Sequence, residues 1–230
     1  MMGKYLNRRV RKENGPLLFL PWRKRIRLQG AFTVIELLVI LATLTVLACI
    51  LIPSAVRPKR RNICRNNLRE IGLAFKVWGQ DYPTLTSVAF GGTKELAGSG
   101  MAFVHFRVMS NELSTPKVLV CPSDSGKKSA GNFDSGFTDT NVSYFVGLDS
   151  ADTLPYDLLS GDRNLAVGRR ALSPGMFLLT NRTPLAWTKG VHRSCGNILF
   201  ADASVQLLDS DNLLRAVQKQ NLLTNRLAIP

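Results

Sequence analysis

Residues 29–54 read QGAFTVIELLVILATLTVLACILIPS, and within them the twenty-one residues from Phe32 to Ile52 carry a single charge, that of Glu36. No other feature of the chain narrows its fold as far. As a helix rising about 1.5 Å per residue, the run is roughly 31 Å long and matches a hydrocarbon core of about 30 Å. A cleavable secretory signal has a shorter apolar region, about 7–15 residues, with small residues at the cut. CILIPSAV is a poor match to such a site, so the run is expected to stay in the protein and span a membrane. Its flanks are basic. Residues 1–30 hold nine Lys/Arg against one Glu, and Arg57, Lys59, Arg60, Arg61, Arg65 and Arg69 follow the run. Most of the net charge of +14 is therefore gathered around the apolar segment, and the rest of the chain is nearly neutral. That distribution is a membrane-topology signal before it is a nucleic-acid footprint. The stronger N-terminal flank favours a cytoplasmic N-terminus, with the 57–69 cluster pulling the other way. GPLLFLPW (15–22) is too short and proline-broken to span a bilayer.

The lone carboxylate has two readings. A charge at the centre of a membrane helix costs about 2.5–3.5 kcal/mol by insertion scales, and less towards the interface. Glu36 lies near the start of the run, where it can snorkel to the headgroups. Alternatively it awaits a cation, and cutting the chain just before the helix would create one in the free α-amino group.

The stretch AFTVIELLVILATLTVLACILIP resembles the N-terminal segment of bacterial type IV prepilins and type II secretion pseudopilins. The resemblance implies a leader, residues 1–31, removed on the cytoplasmic side by prepilin peptidase. It further implies N-methylation of the new N-terminal Phe32 and pairing of Glu36 with the terminal amine of a neighbouring subunit. Pro53, twenty-one residues after Phe32, stands where the family carries a proline. The family has glycine before the cut, whereas this chain has Ala31 with Gly30 one residue further back. Cleavage between Ala31 and Phe32 keeps Glu36 and Pro53 in register; cleavage after Gly30 displaces both by one.

Beyond the run, Pro53 and Pro58 are expected to kink or break the helix. It resumes near residue 59 with Cys64, Leu68, Ile71, Phe75, Trp78 and Tyr82 at alternating spacings of four and three, an apolar stripe that docks on a globular body. CRNNLREIGLAFKVW resembles the stretch after the membrane helix in many pseudopilins. Residues 83–116 read as irregular, with a short helix near 94–98. KVLVC (117–121), SYFVGL (143–148) and GMFLLTN (175–181) read as strands. NILFA (197–201) and SVQLLD (204–209) read as a hairpin turning at Asp202 and Ala203. A closing helix is expected from about Asp211, capped by Ser210, with Leu213, Leu214, Val217 and Leu222 on its apolar side.

The expected fold is α+β and pilin-like: one long N-terminal helix (membrane part 32–52, amphipathic stalk 53–82) on a small antiparallel sheet, with a short C-terminal helix, in a body spanning 83–230. VCPSD, SYFVGLD, SGDRNL and the nine residues between His192 and Asp202 also resemble a pseudopilin-like group of planctomycete- and verrucomicrobia-type bacteria. That group places glycine after the aspartate, where this chain has Ala203, so a left-handed turn there would be strained.

Chemistry is sparse. His105 and His192 have no nucleophile–base–orienter set around them, and SDSGKKS lacks the first glycine of a P-loop. No enzyme activity and no metal site are expected. The four cysteines fit no zinc or CxxC pattern. In an exported body one disulfide is conceivable, with Cys121–Cys195 the first pair to try; two reduced, half-buried thiols are the other reading. Asp134, Asp139, Asp149, Asp152, Asp157 and Asp162 could serve calcium, but no EF-hand spacing appears and a solvated loop is the favoured reading. The resemblance implies a structural pseudopilin or pilin-like subunit of the inner membrane, single-pass, with a periplasmic body that enters a fibre on assembly. Its partners would be prepilin peptidase, other subunits and the assembly platform. The alternatives are a membrane-anchored binding module that never polymerises and a DNA-capturing minor pilin, the latter disfavoured because the basic cluster would lie near the stalk.

Overall fold

The computed structural model describes residues 33–81, 93–151 and 153–230. The leader, Gly30, Ala31, Phe32, Tyr82 and Asp152 lie outside them. The chain divides into two compact units, Met1–Leu47 and Ala48–Pro230. The described elements form an α+β protein whose main sheet is antiparallel throughout.

Helix α1 runs over Val34–Asp81 as one hydrogen-bonded element. The expected break between Pro53 and Pro58 is absent from it. Each proline deletes one backbone donor, and the donors on either side are enough to carry the helix past both. Among the described residues no helix is long and apolar enough to cross a membrane. The run Phe32–Ile52 itself extends beyond the residues whose side chains are described.

The stripe is where the sequence puts it. Cys64, Leu68, Ile71, Phe75 and Trp78 are buried together with Ala74, while Ile63, Leu73 and Val77 point outward. Gly72 allows the close approach, because a Cβ there would stand 2.8 Å from Leu199 Cδ1. After α1 come a 3-10 turn at Lys94–Ser99 and two short helices that the sequence reading leaves irregular, α2 (Ala102–Val108) and α3 (Ser110–Leu113). KVLVC is not a strand. Pro116 opens a 3-10 turn over Pro116–Leu119, with Thr115 Oγ1 accepting from the Lys117 amide at 3.4 Å. Proline suits the first position of a helical turn, since its missing donor would be unpaired there in any case.

Nine strands follow among the described residues: β1 (Tyr144–Gly147), β2 (Leu158–Asp162), β3 (Leu165–Val167), β4 (Arg170–Ala171), β5 (Gly175–Thr180), β6 (Leu185–Trp187), β7 (Cys195–Phe200), β8 (Val205–Asp209) and β9 (Thr224–Ile229). Six form the main sheet in the order β5-β9-β1-β2-β7-β8, and three form a small one, β4-β3-β6. The central strands are buried on both faces, so their residues alternate between two cores rather than between core and solvent. Tyr144, Val146, Leu159, Leu199 and Ala228 face the α1 stripe and α2. Phe145, Leu158, Ile198, Leu227 and Ile229 face the other core, with Leu213 and Val217 of helix α4 (Ser210–Gln218) and with Trp187.

The β7–β8 hairpin is present, paired through Leu199 and Val205. Its loop is Ala201–Ala203, with Ala203 donating to the Phe200 carbonyl (2.9 Å) and taking the left-handed conformation at φ 69°. Helix α4 begins one residue earlier than expected. Asp209, not Ser210, is its cap and accepts from the Asn212 amide at 2.8 Å, while Ser210 Oγ accepts from the Trp187 amide.

Candidate functional site

At the start of α1, Thr33 and Glu36 form a reciprocal pair. Glu36 Oε2 accepts from the Thr33 amide (2.9 Å) and hydroxyl (3.0 Å), and Thr33 Oγ1 accepts from the Glu36 amide (3.3 Å). This is a capping box, a pattern legible in T-V-I-E that the sequence reading passed over. Glu36 therefore has a local role besides either reading given above. Around it the helix is apolar on all sides and uncovered among the described residues: Val34 is 76% exposed, Ile35 70% and Leu38 59%.

In the second unit the polar side chains converge at one place, where α1, the turn after Leu119, the end of β2 and the segment before β7 meet. Cys64 of α1 is bonded to Cys121, with Cα atoms 5.1 Å apart. One helical turn on, Asn67 Nδ2 donates to the Val120 carbonyl at 3.1 Å, so the same face of α1 is tied twice to this segment. Neither reading of Cys121 and Cys195, the pair bonded to each other or both reduced, is thus met: Cys121 is bonded to Cys64 rather than to Cys195. Cys64, counted from its spacing as one more apolar stripe residue, takes that place, and the half-buried Cys195 thiol donates to the His192 carbonyl at 2.7 Å.

His192 is buried against the disulfide, its Nε2 3.3 Å from Cys121 Sγ and 3.5 Å from Asp162 Oδ2. Asp162, fully buried at the end of β2, accepts at Oδ2 from the Asn197 amide (2.6 Å) and side chain (2.9 Å). Its other oxygen, Oδ1, is buried with no hydrogen-bond partner among the described residues. Burial pushes the Asp162 carboxyl up to about 7 against the Asn197 bonds, and burial followed by the Arg61 charge lowers the His192 imidazole. Nearby, Arg163 holds Asp124 through two bonds of 2.7 and 2.8 Å. Burial opposes ionisation of Asp124, but the guanidinium outweighs it and the carboxyl stays below its ordinary value. The residues after His192 are held in an unusual backbone, with Arg193 at φ 55° and Ser194 at φ 64°. A cleft of about 220 Å³ lined by Arg60, Arg61, Ser123, Val191, His192 and Arg193 opens onto the cluster.

No protein-family model, no curated protein and no solved structure matches the chain. The site therefore stands on its own geometry, and that geometry gives a physical reason for the body motifs. VCPSD supplies Cys121 and Asp124, and SGDRNL supplies Asp162, Arg163 and Asn164, whose amide donates to the Thr188 carbonyl. SYFVGLD supplies Asp149, ion-paired to Arg226 of β9.

Among the described residues, the aspartates considered for calcium do not share a loop site. Asp139 accepts from the Phe103 amide, Asp149 binds Arg226, and Asp157 caps the Asn221 and Leu222 amides. Asp157 and Asp162 are fully buried, which corrects the solvated-loop reading for those two. Among the described residues the one group of three whose ligand atoms converge is Cys64, Cys121 and His192, all within 4.8 Å of one another. Sequence reasoning missed it because the three stand far apart in the chain, and only the docking of α1 joins them. His105, by contrast, is buried on α2 with neither ring nitrogen partnered among the described residues, and burial lowers its imidazole to about 4.

Proposed function

We propose that the chain is a structural subunit of a pseudopilus or type IV pilus-like fibre, made as a precursor, cut before Phe32 by prepilin peptidase and methylated there. One observation carries the reading. From Val34 to Leu47 the helix presents apolar side chains on every side that no other described residue covers, alongside a carboxylate at its first turn. A helix apolar all round must be covered by lipid or by other helices. In this reading lipid covers it before assembly, and the same segments of neighbouring subunits cover it afterwards. Glu36, satisfied within its own helix only by Thr33, then meets a neighbour's terminal amine. The partner compensates the charge that would otherwise sit in a medium of low dielectric.

The capping box sharpens the test. Glutamine serves as well as glutamate at that position of a capping box, but carries no charge. Glu36→Gln is expected to leave the protein inserted in the membrane with its helix start intact, and to remove it from sheared fibres. Glu36→Ala is also expected to be missing from fibres, but it deletes the acceptor of the Thr33 amide and so loses the capping box as well. Incorporation of Glu36→Gln at the wild-type level would refute the ion-pair role. A wild-type chain processed normally yet never recovered in fibres would favour the non-polymerising anchor.

A further inference from the structure

We propose that the cluster of Cys64, Cys121, His192 and Asp162, when its disulfide is reduced, is a binding site for one four-coordinate divalent transition-metal ion of the zinc type. The donor set is two sulfurs, one imidazole nitrogen and one carboxylate oxygen, the mixture that zinc takes in tetrahedral sites. The spacing fits as well. Bonds of about 2.3 Å to sulfur and about 2.0 Å to nitrogen or oxygen set the edges of a tetrahedron at roughly 3.3–3.8 Å. Cys121 Sγ to His192 Nε2 is 3.3 Å, and His192 Nε2 to Asp162 Oδ2 is 3.5 Å. Cys64 Sγ lies within 4.8 Å of the other two members of its group. Asp162 stands outside that group and adjoins it at His192, so on reduction the sulfurs part and the carboxylate closes on the ion.

A second, independent observation is the unpartnered Oδ1 of the fully buried Asp162. Such an oxygen is costly if nothing meets it, and an ion bound at His192 Nε2, 3.5 Å from the other oxygen of the same carboxylate, would meet it. Asn197 already holds the carboxylate in place through Oδ2, as outer partners of metal ligands do. The donors come from α1, the turn after Leu119, the segment before β7 and the end of β2, so packing gathers them before any ion arrives. Two thiolates, one carboxylate and a dication sum to a single negative charge, which Arg60, Arg61 and Arg193 on the adjoining cleft complement.

The two states exclude each other. In the disulfide the sulfurs are bonded to one another and neither is a thiolate. A dithiol reductant supplies two electrons and two protons, breaking the S–S bond and leaving as its own disulfide. The ion then displaces the two thiol protons as both S–metal bonds form. Either state joins α1 to the rest of its unit at the same point, once by a covalent bond and once by an ion.

The test uses the full-length chain, purified oxidised and divided. One half is reduced with a phosphine, which does not compete for the ion as a dithiol would. Cobalt(II) is titrated into both and followed by the thiolate-to-cobalt charge-transfer band and the visible bands of a four-coordinate ion. The reduced chain is expected to take one equivalent and the oxidised chain none. His192→Gln and Asp162→Asn, reduced, should each bind at least about tenfold more weakly. A reduced wild type without the charge-transfer band overturns the proposal. So does a band unchanged by His192→Gln, which would place the ion on Cys49 or Cys195. The wild-type comparison needs no variant to fold, and a reduced chain that unfolds and is not refolded by cobalt counts equally against the site.

Discussion

Ala203 holds a backbone conformation that an L-residue avoids, at φ 69°. Asp202 does not take it. Its side chain instead accepts from the Ser204 amide at 2.8 Å, within the turn. Ala203→Gly removes the clash of Cβ with the backbone and is expected to raise the unfolding free energy by about 1 kcal/mol, read from urea titration. His105 makes a second prediction. Its imidazole is neutral in the fold down to about pH 4, whereas in the unfolded chain it gains a proton near 6.5. The unfolded state therefore binds more protons between these values, and His105 costs stability progressively as pH falls from 6.5 towards 4, by about 3 kcal/mol in all. Asp162, which keeps its proton up to about 7, works the other way: its cost appears as pH rises from 3.8 towards 7. The pH profile of the wild type mixes the two. The difference between His105→Met and wild type isolates the first, and should widen in favour of the variant between pH 7 and pH 5. A constant difference would mean that the ring finds a partner.

Among the elements, the disulfide joins residues 57 apart in the sequence, so its loss frees a long loop in the unfolded chain. Chain-entropy arithmetic puts that at about 4 kcal/mol, and reduction should lower the denaturation midpoint accordingly, with the slope of the transition checked for residual structure. The stripe that positions Cys64 was legible because a helix buried on one face leaves a fixed period in the sequence, from Cys64 to Trp78. The hairpin and the strands at Tyr144 and Gly175 were legible from short apolar runs between turn residues. β2, β9 and the small sheet were not. Leu158–Asp162 and Thr224–Ile229 contain Ser, Gly, Asp, Asn and Arg inside the strand. Those residues are tolerated because Asn197, Asp149 and the Phe145 carbonyl receive them. Satisfaction of that kind is tertiary and leaves no local pattern. The site was half legible for the same reason: its motifs stood out, but their convergence depends on α1 docking beside them.

At the scale of the whole molecule, the proposed processing changes the charge. Residues 1–30 hold +8 of the net charge of +14, so removal of the leader leaves a far less basic protein. Terminal sequencing of protein from membranes is expected to begin at N-methyl-Phe32. A start at Met1 would exclude processing, and a start at Ala31 would shift Glu36 and Pro53 out of register. In the second unit β9 stands between β5 and β1, and among the described strands it is the only neighbour of β5. It is also the last of the nine to leave the ribosome. Until it does, β5 has no edge to join and β1 keeps an open one beside it. The sheet therefore closes in one late step, governed by contacts distant in sequence. A stalled or shortened nascent chain would expose the edge of β1 to whatever other unfinished strand lies nearby.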